Sequence, residues 1–197
     1  AGAAETCGAS GAGDVAGSGA GEFQAMTAES TKNVIAFVYG SLDGVQTYDR
    51  VIEGGVESSL NAGVVATAEN EVRVSYQIRS SVDSKLEEMM DRMGIWCDFT
   101  GAYIDMKGSY PAWAYKPESE LRPLLVNVYK EMYGEEPVIL NSHGGLEGGI
   151  LSGKKPDLDI VCMGPNLTGV HTPDERMSIE STQRTWEFFK RVLAELK

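Results

Sequence analysis

Two β-rich runs that follow each other closely constrain the fold of this chain more than any other feature. The first reads VESSLNAGVVATA (residues 56–68) and the second NEVRVSYQIRSS (residues 70–81). In the second run apolar residues alternate with polar ones, as in a strand that buries one face. These apolar residues are Val72, Val74, Tyr76 and Ile78. The turn at Glu69-Asn70 joins the two runs, and the pair predicts an antiparallel hairpin.

Helices before and after this hairpin give an α+β pattern. Thr27 is a predicted helix N-cap, and DSKLEEMMDRMG (residues 83–94) predicts a second helix that ends at Gly94. A further strand is predicted for IWCDFTGAYID, residues 95–105. The order strand–strand–helix–strand is typical of an α+β layer with helices on one face of a sheet. We therefore expect one domain over residues 26–109.

A second domain is predicted for residues 110–197, because the prolines and glycine of KGSYPAWAYKPES interrupt the preceding pattern. The predicted elements that follow are a helix (118–133), a strand (136–140), a strand (157–163) and a final helix (179–196). This order is typical of part of an α/β sheet. Ser178 is the predicted N-cap of the last helix. Its predicted inward stripe consists of Ile179, Trp186, Phe189, Leu193 and Leu196.

Residues 1–25 are rich in Gly, Ala and Ser and nearly devoid of large apolar side chains. Such a segment buries too little to offset its own ordering entropy, so we expect it to be flexible. Its closing AGSGAGEF is also typical of an engineered linker.

Composition and charge exclude several classes of partner. The chain is 42% hydrophobic and 23% charged, which is typical of a soluble globular protein. Its net charge of -12 argues against nucleic acid and anionic membranes as partners, and no apolar run is long enough for a transmembrane helix. The cysteines, Cys7, Cys97 and Cys162, are odd in number and far apart. They predict reduced thiols and a cytoplasmic location.

His171 is the first candidate functional residue, in the loop GPNLTGVHTPDER between a predicted strand and a capped helix. Ligands of α/β folds lie outside the carboxyl ends of strands. A neutral imidazole there suits a divalent transition metal, with Asp174 or Glu175 orienting the ring. A loop histidine bonded to the backbone is the alternative.

Three other positions are candidates for ligand binding. The first is the stretch NSHGGLEGG (residues 141–149), whose glycines allow the backbone to approach a ligand closely. Glu147 within it can bind a cationic amine, and the alternative for the stretch is a flexible turn. Arg79, at a strand end, can bind a carboxylate in bidentate fashion or simply be solvated. Asn61, within an apolar strand, needs partners that a substrate can supply, unless it lies on an exposed face.

Four stretches, taken together, resemble one enzyme family. They are VESSLNAGVV, IRSSVDS, HGGLEGG with the run KKPDLDIVCMGPNLTGVHTPDER that follows, and SIES. They are similar to the carboxyl-terminal portion of bacterial aminoacyl-histidine dipeptidases (Xaa-His dipeptidases, cytosolic non-specific dipeptidases), which are co-catalytic zinc exopeptidases. The resemblance covers residues 26–197.

The resemblance implies part of an α+β lid and dimerisation domain, followed by the carboxyl-terminal part of an α/β catalytic domain. Two zinc ions per active site would activate a water that attacks the peptide bond of a dipeptide. His171 matches a zinc ligand, and Gly145 and Glu147 fall in the glycine-rich substrate loop. Arg79 and Asn61 match lid positions that reach the substrate, Arg79 at its terminal carboxylate. Relatives usually read His-Ala-Gly-Leu-Glu-Cys-Gly in this loop, so the different residues here bear on substrate preference.

The same resemblance implies that other parts of the active site are absent from this chain. The family's remaining zinc ligands and its general base lie in an amino-terminal half that does not match any residue here. We therefore expect a fragment that is inactive alone, with a dipeptide as substrate and with a homodimer and the missing amino-terminal half as partners. The alternative is a non-catalytic module for dimerisation or peptide binding.

Overall fold

The computed structural model describes residues 2–10, 25–144 and 146–196. The chain divides into two compact units. The first runs to Ala114 and also includes Asn141–Lys154. The second consists of Tyr115–Leu140 and the residues from Lys155 onwards. The boundary between the units therefore lies five residues beyond the predicted domain boundary, and a later segment belongs to the first unit.

The first unit is built on a five-stranded antiparallel sheet in the order β2-β3-β4-β1-β5. The strands are β1 (Gly2–Ser10), β2 (Gly44–Tyr48), β3 (Val56–Thr67), β4 (Glu71–Ser80) and β5 (Ala102–Lys107). β3 and β4 are the predicted hairpin, and they pair from Ser58↔Ser80 to Thr67↔Val72 with a register shift between Ala62 and Val64.

The structure differs from the sequence prediction at the amino terminus. Residues 1–25 are expected to be flexible, whereas Gly2–Ser10 forms strand β1 between β4 and β5. A strand inside a sheet gains main-chain hydrogen bonds from both neighbours, and these do not depend on large side chains. The segment interpreted as a linker, residues 16–23, lies outside the described residues.

Two helices cover one face of this sheet. They are α1 (Ala28–Gly40), whose N-cap Thr27 accepts a hydrogen bond from Ser30 N at 3.1 Å, and α2 (Asp83–Thr100). The indole Nε1 of Trp96 donates to the carbonyl of Phe37 at 3.2 Å and joins the helices. The buried core consists of Phe37, Leu60, Val74, Tyr76, Ile78, Leu86, Met89, Met93 and Cys97.

The prediction that α2 ends at Gly94 is wrong, and the strand predicted to follow it, over residues 95–105, begins only at Ala102 as β5. The helix continues to Thr100 and ends at Gly101, which has a φ of 68°. A left-handed residue after the last turn is the usual helix stop, and glycine adopts it without strain. Glycine within a helix costs only about 1 kcal/mol, and buried Met93 and Cys97 extend the apolar stripe past Gly94.

The second unit is organised around α3 (Leu121–Tyr133) and α5 (Ile179–Glu195). The carboxylate of Asp159 accepts hydrogen bonds from Glu120 N at 2.8 Å and Leu121 N at 2.9 Å, so it caps the start of α3. The core of the unit consists of Leu125, Val128, Phe188 and Val192. A helix α4 (Glu147–Lys154) belongs to the first unit, and a short pair of strands, β6 (Leu167–Thr168) and β7 (Arg176–Met177), belongs to the second.

Two predictions for the second unit are wrong. Residues 136–140 and 157–163 are not strands in the structure, because a strand requires a neighbour to pair with and neither segment pairs within the described chain. The predicted inward stripe of α5 is also wrong: Phe188 and Val192 are buried, whereas the Trp186 side chain is 56% exposed. The apolar residues of α5 form two stripes, and α3 covers the other one. None of the described helices combines the length and the apolar character needed to cross a membrane.

The alternation in β4 predicts how the first unit responds to truncation of its side chains. Ile78 is 0% exposed, so Ile78→Ala should lower the free energy of unfolding by about 2–5 kcal/mol. Val65→Ala, at a position that is 57% exposed, should change it by less than about 0.5 kcal/mol. Urea unfolding of both variants measures the difference. Equal destabilisation would contradict the assignment of the two faces.

Candidate substrate-binding site

Polar side chains of β3 and β4 lie on the sheet face opposite the helices. In β4 the residues Arg73, Gln77 and Arg79 alternate with the buried ones. In β3 the pairing places Ser59 opposite Arg79 and Asn61 opposite Gln77. Since successive residues of a strand point to opposite faces, Ser59, Asn61, Gln77 and Arg79 share one face. Of these residues, Asn61 and Arg79 are predicted from the sequence as ligand-binding residues.

Arg79 and Asn61 differ in how far they are buried. A guanidinium nitrogen of Arg79 donates to Oε1 of Gln77, two residues away on the same face. Arg79 is half-buried, which limits its freedom, and Asn61 is exposed. The Asn61 amide therefore does not occupy a buried position that would demand a partner, and the exposed-face alternative describes its environment.

The segment Asn141–Lys154 contacts the same unit, and a histidine connects it to this face. The Nε2 atom of His143 is 2.8 Å from Oγ of Ser59. Two residues earlier, Nδ2 of Asn141 donates to Oδ2 of Asp49 at 2.7 Å. The segment is thus fastened to the sheet by two side chains, which disfavours its interpretation as a flexible turn.

Glycines of α4 are required by close packing. A Cβ at Gly148 would be 2.8 Å from the Trp113 ring, one at Gly149 would be 2.9 Å from the Pro111 carbonyl, and one at Gly153 would be 2.5 Å from the Pro111 ring. Side-chain Cβ atoms do not come this close to non-bonded atoms, so a larger residue would push the helix away. At least these glycines therefore serve the docking of α4.

The pKa of His143 is lowered from its ordinary value of 6.5. The main cause is burial, which disfavours the charged imidazolium, and the positive charge of Arg79 acts in the same direction. The neutral form is therefore favoured beside Ser59. His143 is not among the site residues predicted from the sequence; the available signal is a histidine directly before Gly144, in a chain with only two histidines.

Two further candidates fall in or near the same segment. Glu147 is exposed and occupies the first turn of α4, where the helix dipole stabilises a carboxylate. Gly145 lies outside the described residues. A role for either in substrate binding stays a prediction.

His171 lies in the second unit, in the loop between β6 and β7. It is exposed and has a φ of 64°, an unusual conformation for a residue other than glycine. Its backbone N–H donates to the Glu175 carboxylate at 2.9 Å, and Thr172 N donates to the Gly169 carbonyl at 3.1 Å. The sequence predicts Asp174 or Glu175 as a partner of the imidazole, but in the structure the Glu175 carboxylate accepts a hydrogen bond from the His171 backbone and so fixes the turn.

A metal site cannot be assembled from the described residues alone. No group of three or more His, Cys, Asp and Glu side chains in this part of the chain is arranged to hold a metal ion. Protein zinc sites use at least three protein ligands. A metal-ligand role for His171 therefore stays a prediction, while the structure brings Asn61, Arg79 and the segment of His143 together within the first unit.

The lowered pKa of His143 predicts a titration that can be measured. By NMR, its imidazole should titrate below pH 6.5, and Arg79→Gln should raise this pKa by removing a positive charge. Because the unfolded chain binds the proton more tightly than the folded chain, folding stability should fall as pH decreases below about 6.5. His143→Gln removes this contribution and assigns the signal. A His143 pKa at or above 6.5 would contradict the described burial.

Comparison with known proteins places the chain in a wider group. Residues 3–195 match Peptidase family M20/M25/M40. The cytosol non-specific dipeptidase of Escherichia coli is 33% identical over 172 residues, which are 87% of this chain and 36% of that protein. The chain thus spans about a third of the length of this relative.

Solved structures agree with the match. The aminoacylhistidine dipeptidase from Vibrio alginolyticus is 32% identical with a TM-score of 0.77, and the similarity covers 90% of this chain and 36% of that one. The YXEP protein of Bacillus subtilis, a dinuclear metal-binding peptidase, shares the fold with a TM-score of 0.55 at 13% identity, over 97% of this chain and 48% of that one. The chain therefore belongs to Peptidase family M20/M25/M40.

Proposed function

We propose that this chain is the carboxyl-terminal part of a zinc-dependent dipeptidase that hydrolyses Xaa-His and other dipeptides. The observation that carries the proposal is the polar face formed by Arg79, Asn61 and Ser59 and bonded to His143. This face lies in a chain whose sequence is 33% identical to a cytosol non-specific dipeptidase and 32% identical to an aminoacylhistidine dipeptidase.

In this proposal Arg79 binds the terminal carboxylate of the dipeptide. Its guanidinium has five N–H donors, so it can keep its hydrogen bond to Gln77 and still bind a carboxylate in bidentate geometry. The exposed amide of Asn61, on the same face, can donate to a substrate carbonyl. Glu147 and Gly145 are the proposed contacts from the glycine-rich segment, with the Glu147 carboxylate facing a cationic amine.

His171 is the proposed metal ligand of the second unit. Its imidazole is exposed on a turn that is held by hydrogen bonds to Glu175 and Gly169, so it is available as one zinc ligand. The described residues do not fit a complete zinc site, and we propose that the other ligands and the general base belong to an amino-terminal half of a longer protein. In such a two-metal site the bound zinc ions would supply an activated water.

Exposed apolar side chains in the second unit support the proposal that the rest of the catalytic domain belongs to a longer protein. Trp186 and Leu193 on α5 are at least half exposed, and so are Val138 and Leu140 in one of the two segments that resemble strands. Where exposed apolar side chains form one patch, a partner often covers it. The missing half of the catalytic domain is the proposed partner of this surface, and pairing with its strands would extend the two segments.

A homodimer formed through the first unit and a cytoplasmic location complete the proposal. One sheet face is covered by helices, but apolar Val64 and Val65 near the end of β3 are exposed, as are Ile95 and Phe99 on α2. The sheet also has two edge strands, β2 and β5, at which another chain can pair. A cytosolic relative and the predicted reduced cysteines support the location.

The role of Arg79 predicts a substrate-specific loss. In a catalytically active longer protein that contains this chain, Arg79→Ala should lower kcat/KM for dipeptides, because the carboxylate loses a charged hydrogen-bond partner. The expected loss corresponds to about 2–4 kcal/mol of transition-state stabilisation. A dipeptide with an amidated terminus should be nearly insensitive to the substitution. Arg73→Ala, in the same strand and on the same face, is the matched control. An equal loss with both substrates would mean that Arg79 is structural.

The role of His171 predicts weak metal binding by the chain on its own. After dialysis the isolated 197-residue chain should retain less than one equivalent of zinc, because one ligand does not hold the ion. In the longer protein, His171→Ala should abolish hydrolysis and leave the circular dichroism spectrum unchanged. Stoichiometric zinc in the isolated chain, or full activity of the variant, would contradict this role. Absence of any peptidase activity in the longer protein would instead favour a non-catalytic binding module.

A further inference from the structure

The first residue of the glycine-rich segment, Asn141, is bonded to the Asp49 carboxylate, which the backbone around it holds in place. Oδ1 of Asp49 accepts hydrogen bonds from the backbone N–H groups of Val51 at 2.7 Å and Ile52 at 3.0 Å. Its other oxygen accepts the 2.7 Å bond from Asn141. The Asn141 amide also packs so closely on Gly55 that a Cβ there would be 2.4 Å from Oδ1 of Asn141. Asn141 thus docks into a preformed turn after β2.

The second fixed point lies at the sheet. His143 reaches Ser59 at 2.8 Å, and Ser59 is the direct cross-strand neighbour of Arg79. The hydrogen bond between His143 and Ser59 therefore holds the residue before Gly144 next to the strand position that pairs with Arg79. On the far side, α4 is docked through its glycines on Pro111 and Trp113. The described parts of the segment, residues 141–144 and α4, are consequently each held to the first unit.

We propose that Asn141 and His143 are positioning residues, which clamp the glycine-rich segment onto the sheet so that its backbone and Arg79 present substrate contacts at a fixed separation. This inference deepens the proposed dipeptidase function and rests on it for its kinetic consequence. Its structural consequence is independent of catalysis. Neither residue needs to touch substrate, because each acts through the segment that it holds.

Hydrogen exchange in the full 197-residue chain tests the structural part. His143→Ala and Asn141→Ala should each accelerate amide exchange in peptides from the segment 141–154 by about tenfold, because one anchoring hydrogen bond is lost. Exchange in β4 and α2 should not change. Asn70→Ala, at an exposed asparagine in the β3–β4 turn, is the matched control. Ser59→Ala should reproduce the effect of His143→Ala, and combining the two should add little.

A conservative replacement separates the hydrogen bond from other effects of the ring. The amide of glutamine can bond Ser59, so His143→Gln should restore slow exchange in the segment at least in part. Asn141→Asp should be worse than Asn141→Ala, because it places a second carboxylate against Asp49. Unchanged exchange in the segment of the His143→Ala and Asn141→Ala variants, with the fold intact, would overturn the proposal.

Kinetics of an active longer protein test the functional part. His143→Ala should raise KM for dipeptides by about tenfold while kcat changes less than about threefold, since a loose segment weakens binding before it alters chemistry. His143→Gln should recover most of the loss. A fall in kcat with unchanged KM would overturn the positioning role. If the unsubstituted longer protein has no peptidase activity but the exchange results are as expected, the proposed dipeptidase function is wrong. The positioning of the segment by Asn141 and His143 is then still supported.

Discussion

Pairing between β3 and β4 is the interaction on which the first unit depends. The register sets Leu60 beside Ile78 on the side covered by α1 and α2, and Ser59 beside Arg79 on the other side. A shift by one residue would exchange the two sides and bury the guanidinium in the core. The same pairing that forms the core therefore also determines which side chains are available for binding.

A segment distant in sequence completes the polar face. Asn141–Lys154 lies between two parts of the second unit in sequence, but packs with the first. Hydrogen bonds from Asn141 and His143 and close glycine packing on Pro111 and Trp113 hold it there. In the proposed function, substrate binding depends on the β3–β4 face and on this segment, which is bonded to it.

Local patterns predicted those elements that local interactions determine. The alternation in β4 predicted the hairpin, and the capping residues Thr27 and Ser178 predicted where α1 and α5 begin. Gly94 was interpreted as a helix stop, but burial of Met93 and Cys97 continued the helix to Gly101. Propensity is a weak prior when tertiary packing favours continuation.

The remaining errors come from interactions that sequence patterns do not encode. Residues 136–140 and 157–163 have the composition of strands, but a strand needs a neighbour. Which apolar stripe of α5 is buried depended on the position of α3, and the stripe with Trp186 remained exposed. Of the site, Arg79 and Asn61 are candidates from their places in the strands, and the family resemblance implies their roles. His143 was missed because its partner Ser59 lies 84 residues earlier in the chain.

The central claim is that the β3–β4 face and the segment bonded to it form one binding surface for a peptide carboxylate. Titration of the isotope-labelled chain with an Xaa-His dipeptide, followed by NMR, tests it most directly. The account predicts shifts concentrated at Arg79, Asn61 and His143, which weaken strongly when the terminal carboxylate is amidated. Shifts confined to other surfaces, or shifts at this face that are indifferent to amidation, would contradict it.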